Sequence, residues 1–211
     1  MGLIARTFGQ FERPDGPLGR VAVGLMARSN AGLCAFVTEL LDVKAPDQVL
    51  ELGFGHGVAI QMVARRATAG FVAGLDPSPT AVDVAASLNR EAIVAGRVAV
   101  GVGSVTAIGY DAARFDKVLT LNTVYFWQHD PHPALMEMRR VLKTGGILAI
   151  GFRTAPARPG RLRMKPGLAP AEVGALAEAA RTAAFGSCTV VPRPGAAEAC
   201  LMAVAEAPTG R

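Results

Sequence analysis

The sequence has only three cysteines and no apolar run longer than a strand. Its apolar segments are broken by glycine, aspartate or arginine, which excludes a transmembrane helix. Cys34, Cys188 and Cys200 lie far apart without CxxC or Cys/His spacing, which argues against a zinc site and indicates a reducing compartment. Residues 1–10 hold no apolar stretch long enough for a signal peptide. We therefore expect a cytoplasmic protein without a membrane span and without a metal.

Acidic residues are missing between Met138 and Ala171, where eight basic residues occur. The net charge of the chain is +5, and arginine supplies 18 of its 22 basic residues. A surface patch of one sign can attract an anionic partner such as a nucleic acid. We favour the alternative of a solvated arginine-rich loop, because abundant arginine, alanine and glycine are typical of GC-rich bacterial coding sequences.

The middle of the chain alternates short apolar runs with helical stretches, as in a parallel sheet with crossover helices. Asp130 is expected to cap the last of these helices, with Pro131 in its first turn, and residues 143–146 are expected to end it. The predicted strands are residues 48–52, 71–75, 97–101, 116–121 and 147–152, and the predicted helices are 57–67, 78–90 and 130–142.

The two ends of the chain have a different pattern. Two strand-like runs, 187–191 and 199–205, are too close together to hold a crossover helix, so they are expected to pair antiparallel at the sheet edge. Residues 154–170 are expected to form a surface loop, and 171–184 a helix. Upstream, Asn30 is a candidate cap for a helix, after a shorter helix at 18–27. The apolar face of the capped helix would be Leu33, Phe36, Val37, Leu40 and Leu41.

Three glycines, Gly53, Gly55 and Gly57, follow the first strand at alternate positions, and a helix begins directly after them. Glycines let a ligand approach the backbone, and the helix start offers unpaired N–H groups, so a phosphate or carboxylate is the expected guest. A dinucleotide fingerprint would need a small residue at position 58. Because Val58 stands there, NAD fits poorly.

Asp76 ends the second strand, 23 residues after Gly53. A carboxylate at this place faces the same crevice as the glycines and can accept both hydroxyls of a ribose. Alternatively, Asp76 is a turn residue, since Asp76-Pro77-Ser78-Pro79 is also a good helix entry. The glycine turn upstream favours ribose binding.

With these motifs in this order, the sequence resembles the class I S-adenosylmethionine-dependent methyltransferases, in particular the small-molecule type 11 branch that includes the ubiquinone and menaquinone methylases. The resemblance covers residues 46–153, and the C-terminal hairpin by topology. The first motif of that family, an acid followed by G-x-G-x-G, matches Glu51 and the three glycines, and its acidic ribose ligand matches Asp76. Residues 121–127 match the fourth-strand motif, and residues 142–146 resemble the closing motif.

The resemblance implies an α/β fold: a Rossmann-like, seven-stranded, mostly parallel sheet with a C-terminal antiparallel hairpin and helices on both faces. We predict one domain over residues 1–211, with an N-terminal helical cap (1–45), a donor-binding core (46–153), and a basic loop, helix and edge hairpin (154–211).

The resemblance also implies S-adenosylmethionine as the methyl donor, S-adenosylhomocysteine as the product, and no metal. The acid often found in the adenine-binding segment is absent here, so adenine contacts would come from the backbone or from Ser104. The expected donor-binding residues are Glu51, Gly53, Phe54, Gly55, Gly57, Asp76, Pro77, Ser104, Val105 and Asn122.

The acceptor is expected just past the fourth strand, at the carboxyl edge of the sheet. Tyr125 and Trp127 are candidate walls of an apolar acceptor pocket, with core packing as the alternative. His129 is a candidate general base, with a surface histidine as the alternative, and Tyr125 is a second catalytic candidate. In relatives the N-terminal cap closes over the acceptor, which makes Phe11 and Met26 candidate contacts.

We therefore expect in-line methyl transfer to a small, largely apolar metabolite by a monomer or homodimer. One alternative is a nucleotide-dependent oxidoreductase, which Val58 disfavours. Another is a methyltransferase that acts on nucleic acid or protein through the basic 153–165 loop, and a third is a donor-binding protein without activity. Nucleic acid is not the expected partner, because residues 122–125 lack the Asn/Asp-Pro-Pro-aromatic arrangement of DNA and protein N-methylases.

Overall fold

A computed structural model describes residues 30–155 and 167–207 of the chain. Within these residues, seven strands form one sheet in the order β3-β2-β1-β4-β5-β7-β6. Neighbours among β1 to β5 pair in parallel, and β7 pairs antiparallel with β5 and β6. The predicted fold class and edge hairpin are confirmed. The strands are β1 Gln48–Leu52, β2 Phe71–Asp76, β3 Val98–Val102, β4 Phe115–Leu121, β5 Leu142–Arg153, β6 Phe185–Pro192 and β7 Glu198–Ala205.

Helices cover both faces of this sheet. Helix α1 covers the described residues 30–40, and a short 3-10 turn, Val124–Phe126, follows β4. The helices after α1 are α2 Val58–Ala64, α3 Pro79–Leu88, α4 Arg90–Val94, α5 His132–Val141 and α6 Pro170–Thr182. None of the helices in the described ranges has the length and apolar character needed to cross a membrane.

The strands have two apolar faces because successive side chains point to opposite sides of a sheet. In β1, Val49 packs with α1, α2 and α3, whereas Leu50 packs with α5 and α6. In β5, Ala149 and Leu148 divide in the same way. The core is therefore two layers, one on each side of the sheet, which explains the continuous apolar runs of the central strands.

Three local expectations about helix ends are wrong. Asn30 is already helical rather than the cap of α1. Helix α5 follows Pro131, which takes the cap position without a side-chain hydrogen bond, so Asp130 is not its cap. Asn89 interrupts the helix that was expected to run continuously over residues 78–90. Asn89 donates from its side-chain amide to the carbonyls of Gly57 and Ala85, which holds the break against the glycine turn.

Residues 143–146, which were expected to end a helix, belong to β5 instead. Helix α5 ends at Val141, and Leu142 already pairs with Phe115 of β4. The next pair is Ile147 with Lys117, so residues 143–146 form an irregularity in β5, where Gly145 has a φ of +77°. The burial of Leu142 against the core favours an early return to the sheet.

Several expectations fall on residues outside the described ranges. These are the helix at 18–27, most of the loop at 154–170, and the candidate acceptor contacts Phe11 and Met26. The division of the chain into cap, core and C-terminal part stays a prediction.

Candidate functional site

A cavity of about 590 Å³ opens where the parallel strands of the sheet end. The chain leaves β1 towards β2 on one side, whereas β4 leads to β5 on the other. A crevice therefore forms at the carboxyl ends of β1 and β4, which is where open α/β sheets bind ligands. Its lining comes mainly from the turn after β1, the end of β2, residues 103–105 after β3 and the turn after β4, with Asn30 and Cys34 of α1 and Ala81 of α3 added.

The turn after β1 needs glycine at three positions, because Gly53, Gly55 and Gly57 all have positive φ values, between +55° and +74°. A Cβ atom on Gly53 would collide with the methyl group of Thr123, and one on Gly57 would lie 2.6 Å from the Cβ of Ala85. At Gly55, by contrast, no atom lies within 4 Å of the added Cβ, and Gly55 lines the cavity. The backbone there is open to a ligand.

Asp76 is hydrogen-bonded directly to this glycine turn. Its Oδ2 accepts a hydrogen bond from the Gly55 amide at 2.8 Å, and its Oδ1 accepts one from the Ser78 amide at 2.9 Å. Ser78, not Asp76, caps α3 with its side chain. Burial raises the pKa of Asp76. Each carboxylate oxygen can accept more than one hydrogen bond, so Asp76 keeps acceptor capacity while it holds the turn.

Glu51 contributes a buried carboxylate that lacks one partner. It is 2% exposed and lines the cavity, and its Oε2 has no hydrogen-bond partner among the described residues. Burial, and then the nearby Asp76, raise the pKa of Glu51 to about 8. A buried polar atom without a partner is costly, so this oxygen suits a ligand that donates a hydrogen bond or carries positive charge.

The turn after β4 is strained and held from two sides. Asn122 has a φ of +56°, a left-handed conformation that asparagine tolerates better than most residues. Its side-chain amide donates to Asn30 Oδ1 at 3.2 Å, and Arg153 donates to the same oxygen at 3.1 Å. The Tyr125 hydroxyl accepts a hydrogen bond from the Arg153 amide at 2.7 Å, and burial raises the pKa of Tyr125 to about 12. Helix α1, β4 and β5 therefore meet at this turn.

Three aromatic or imidazole side chains follow this turn, and their exposure differs. Trp127 lines the cavity but is only 7% exposed, and it also packs in the core layer of α5. Phe126 is 56% exposed and lines the cavity. His129 is exposed at the same cavity.

The structure brings together nearly all the residues that the sequence pointed to. Gly57 is not in the lining, although it shapes the turn. Sequence reasoning missed Asn30, Cys34, Thr123 and Phe126 as lining residues; for Thr123 and Phe126 the available signal was their place inside the fourth-strand motif. The expected residues that line the cavity are Glu51, Gly53, Phe54, Gly55, Asp76, Pro77, Ser104, Val105, Asn122, Tyr125, Trp127 and His129.

Several proteins that are similar to this chain in sequence or in fold are named as methyltransferases. A family model for the methyltransferase domain matches residues 50–150. The chain is 30% identical over 141 residues to the uncharacterized methyltransferase YdaC of Bacillus subtilis, which covers 66% of this chain and 75% of that protein. It is 28% identical over 127 residues to the erythromycin 3''-O-methyltransferase of Saccharopolyspora erythraea, which covers 60% of this chain and 41% of that protein.

A crystal structure of a SAM-dependent methyltransferase from Aquifex aeolicus has the same fold, with a TM-score of 0.71 at 19% identity, over 87% of this chain and 96% of that one. Together with the family match, these similarities define the class. The chain belongs to the class I S-adenosylmethionine-dependent methyltransferases of the type 11 family.

The residues around the cavity fit the donor that this class uses. The unpartnered Oε2 of Glu51 suits a cationic or hydrogen-bond-donating group, and S-adenosylmethionine carries both an ammonium group and a sulfonium. The open side of Gly55 leaves room for a ligand against the backbone. Over residues 30–155 and 167–207, no cluster of His, Cys, Asp and Glu is arranged to hold a metal ion.

Proposed function

We propose that this methyltransferase binds S-adenosylmethionine in the cavity at the carboxyl ends of β1 and β4 and transfers its methyl group to a small, largely apolar metabolite. One observation carries the donor part of the proposal: the glycine turn, Asp76 and Glu51 border a single cavity, and one carboxylate oxygen of Glu51 has no partner among the described residues. The acceptor part rests on the side chains that follow β4.

Each donor-binding residue has an assigned part in this proposal. Asp76 accepts hydrogen bonds from the ribose hydroxyls. Each of its carboxylate oxygens already accepts one hydrogen bond from a backbone amide and can accept another. Gly53 and Gly55 let the donor lie against the backbone, and Glu51 faces its positive charge. The adenine is assigned to the side of the cavity that Pro77, Phe54, Ser104 and Val105 border.

Bound S-adenosylmethionine supplies an electrophilic methyl group on a positively charged sulfur. The protein contributes orientation of the acceptor and exclusion of water, because displacement on a carbon atom needs little covalent help. His129, exposed at the cavity, is the candidate base for an acceptor that is protonated at working pH. The Tyr125 hydroxyl already accepts the Arg153 amide, and its pKa is about 12, so we assign Tyr125 to the acceptor wall rather than to proton transfer.

The side chains near the acceptor position favour an apolar molecule. Phe126 offers an exposed aromatic ring beside the cavity, and the nearly buried Trp127 lines the same cavity. Similarity to an enzyme named as an erythromycin O-methyltransferase supports a small molecule over a macromolecule. An assay of methyl transfer to a panel of apolar alcohols, phenols and amines, with RNA and protein as competing acceptors, tests this choice, and preferred methylation of RNA or protein would contradict it.

Titration calorimetry with S-adenosylhomocysteine tests the donor site. Asp76→Ala removes the ribose acceptor and leaves the Gly55 amide without its partner, so we expect a loss of affinity of about 100-fold. Asp83→Ala is the matched control, because Asp83 lies exposed on α3, and it should bind like the unsubstituted protein. Equal affinity of Asp76→Ala and the control would rule out the assigned role of Asp76.

A further inference from the structure

A chain of three hydrogen bonds joins Trp127 to the glycine turn. The indole Nε1–H of Trp127 donates to Thr123 Oγ1 at 3.2 Å. The Thr123 hydroxyl is bonded in turn to the Thr120 hydroxyl, and Thr120 Oγ1 donates to the carbonyl of Leu52 at 2.8 Å. Leu52 is the last residue of β1, directly before Gly53.

The direction of every proton in this chain is determined. An indole N–H can only donate and a carbonyl can only accept, whereas a hydroxyl has one proton to give. The Thr120 hydroxyl donates its one proton to the carbonyl of Leu52. The Thr123 hydroxyl must therefore donate to the Thr120 oxygen and accept from the indole N–H of Trp127. The two hydroxyls act as one relay with no alternative arrangement, and each bond polarises the next.

This relay spans the place where the backbone connections diverge. The Gly53 amide donates to Leu75 of β2, on one side of the crevice. The Asn122 amide donates to Gly151 of β5, on the other side. Beyond the last pair of β1 and β4, Leu52 with Thr120, the two backbones bond to different strands, and the threonine hydroxyls connect them. The Thr123 methyl group adds a steric limit, because it occupies the space beside Gly53.

We propose that Thr123 is a positioning residue for the donor site, which sets the spacing between the glycine turn and the turn after β4 through its hydrogen bond to Thr120. This inference rests on the proposed donor site, since both turns line the cavity assigned to the donor. Thr123 acts by holding the Leu52–Gly53 backbone and the indole of Trp127 in one arrangement.

The test compares variants that keep or remove the hydroxyl. Thr123→Val keeps the β-branched shape but cannot relay the bond, so we expect S-adenosylhomocysteine to bind about tenfold more weakly. Thr123→Ser keeps the hydroxyl and should restore affinity to within about threefold of the unsubstituted protein. Thr120→Val breaks the same relay one bond further on. The Thr120→Val/Thr123→Val double variant should bind no more weakly than the weaker single variant, because both act through one chain.

Trp127 supplies a readout that a general loss of stability would not give. It is the only tryptophan of the chain, so fluorescence excited where tyrosine does not absorb reports on the surroundings of this one indole, including its N–H partner. Thr123→Val should shift the tryptophan emission of the protein without ligand. Thr120→Val should leave this emission nearly unchanged, because Thr123 still accepts the hydrogen bond from the indole N–H. Thr189→Val, at an exposed threonine of β6, is the control and should change neither emission nor affinity.

The outcomes separate this inference from the proposed donor site. If the unsubstituted protein fails to bind S-adenosylhomocysteine, the donor site itself is refuted and the inference with it. If the unsubstituted protein binds but Thr123→Val and Thr120→Val bind equally well, Thr123 is not a positioning residue and the donor site stands. Should Thr123→Val fail to fold, Thr120→Val and Thr123→Ser decide: weak binding by the first with restored binding by the second supports the relay, and equal binding by both refutes it.

Discussion

The two sides of the cavity are built in different ways. The side proposed for the donor consists of turns whose shape is set by the backbone: positive φ angles at glycines and amides that donate to Asp76. The side proposed for the acceptor consists of side chains from distant parts of the chain: Asn122 and Arg153 both donate to one oxygen of Asn30, and Phe126 is exposed. A donor that all members of a class share suits the first construction. A side-chain wall can change with the acceptor while the fold stays the same.

Gly55→Ala should break the donor side while it leaves the fold nearly intact. Its added Cβ meets no protein atom but enters the cavity, so we expect donor and product to bind about tenfold or more weakly. Its stability cost should be about 1 kcal/mol, from the left-handed φ of +55° alone. Calorimetry and thermal unfolding measure the two effects separately.

Gly96→Ala is the matched control for this substitution. Gly96 has a φ of +72°, and its added Cβ also meets no atom within 4 Å, but it lies outside the cavity lining. The two variants should lose similar stability, and only Gly55→Ala should lose affinity for S-adenosylhomocysteine. A similar loss of affinity in both would mean that backbone strain, not the open cradle at Gly55, explains the effect.

The difference between the two sides also decides what the sequence could predict. The donor side is local: one strand, one turn and the end of the next strand contain it, so Gly53, Gly55 and Asp76 could be found from spacing. The acceptor side depends on long-range contacts, such as the one between Asn122 and Asn30, which are 92 residues apart. No local pattern contains such a contact, and Asn30 instead suggested a helix cap.

The strands were predicted better than the ends of helices for a related reason. Strands are marked by apolar runs that the two-layer core requires, whereas a helix end depends on which of several competing partners its residues find. Lys117 shows that the contacts of a strand residue can also be unpredictable from the sequence. It lies buried in β4, where its ammonium group donates to the carbonyls of Leu41 and Asp42 at the end of α1. A lysine in an apolar run gives no sign of such a partner.

Glu51 allows the electrostatics of the donor side to be tested by pH. Its folded pKa of about 8 lies above the ordinary 4.5, so the folded state holds a proton that the unfolded chain releases between these values. The contribution of Glu51 to stability is therefore full below pH 4.5 and is lost as the pH rises to about 8. Glu51→Gln should remove this dependence and be relatively more stable above pH 8.

Binding of the methyl donor should release the proton that Glu51 holds below about pH 8. A cation beside Glu51 favours the carboxylate, so S-adenosylmethionine should bind with release of a proton below pH 8 and several-fold more tightly as the pH approaches that value. Calorimetry in buffers of different ionisation enthalpy counts the proton. Glu51→Gln should abolish the release, and a pH-independent affinity in the unsubstituted protein would show that Glu51 does not face the charge.

The smallest effect is expected on the acceptor side, at Phe126. Because the Phe126 side chain is 56% exposed and lines the cavity on the side proposed for the acceptor, Phe126→Ala should leave the fold and the affinity for S-adenosylhomocysteine unchanged. It should raise the KM for an apolar acceptor about three- to tenfold, in line with the partial burial of an aromatic ring. Met136→Ala, which truncates another exposed apolar side chain on α5, is the control and should alter neither. A loss of product affinity in Phe126→Ala would place this ring on the donor side and remove the division between the two sides of the cavity.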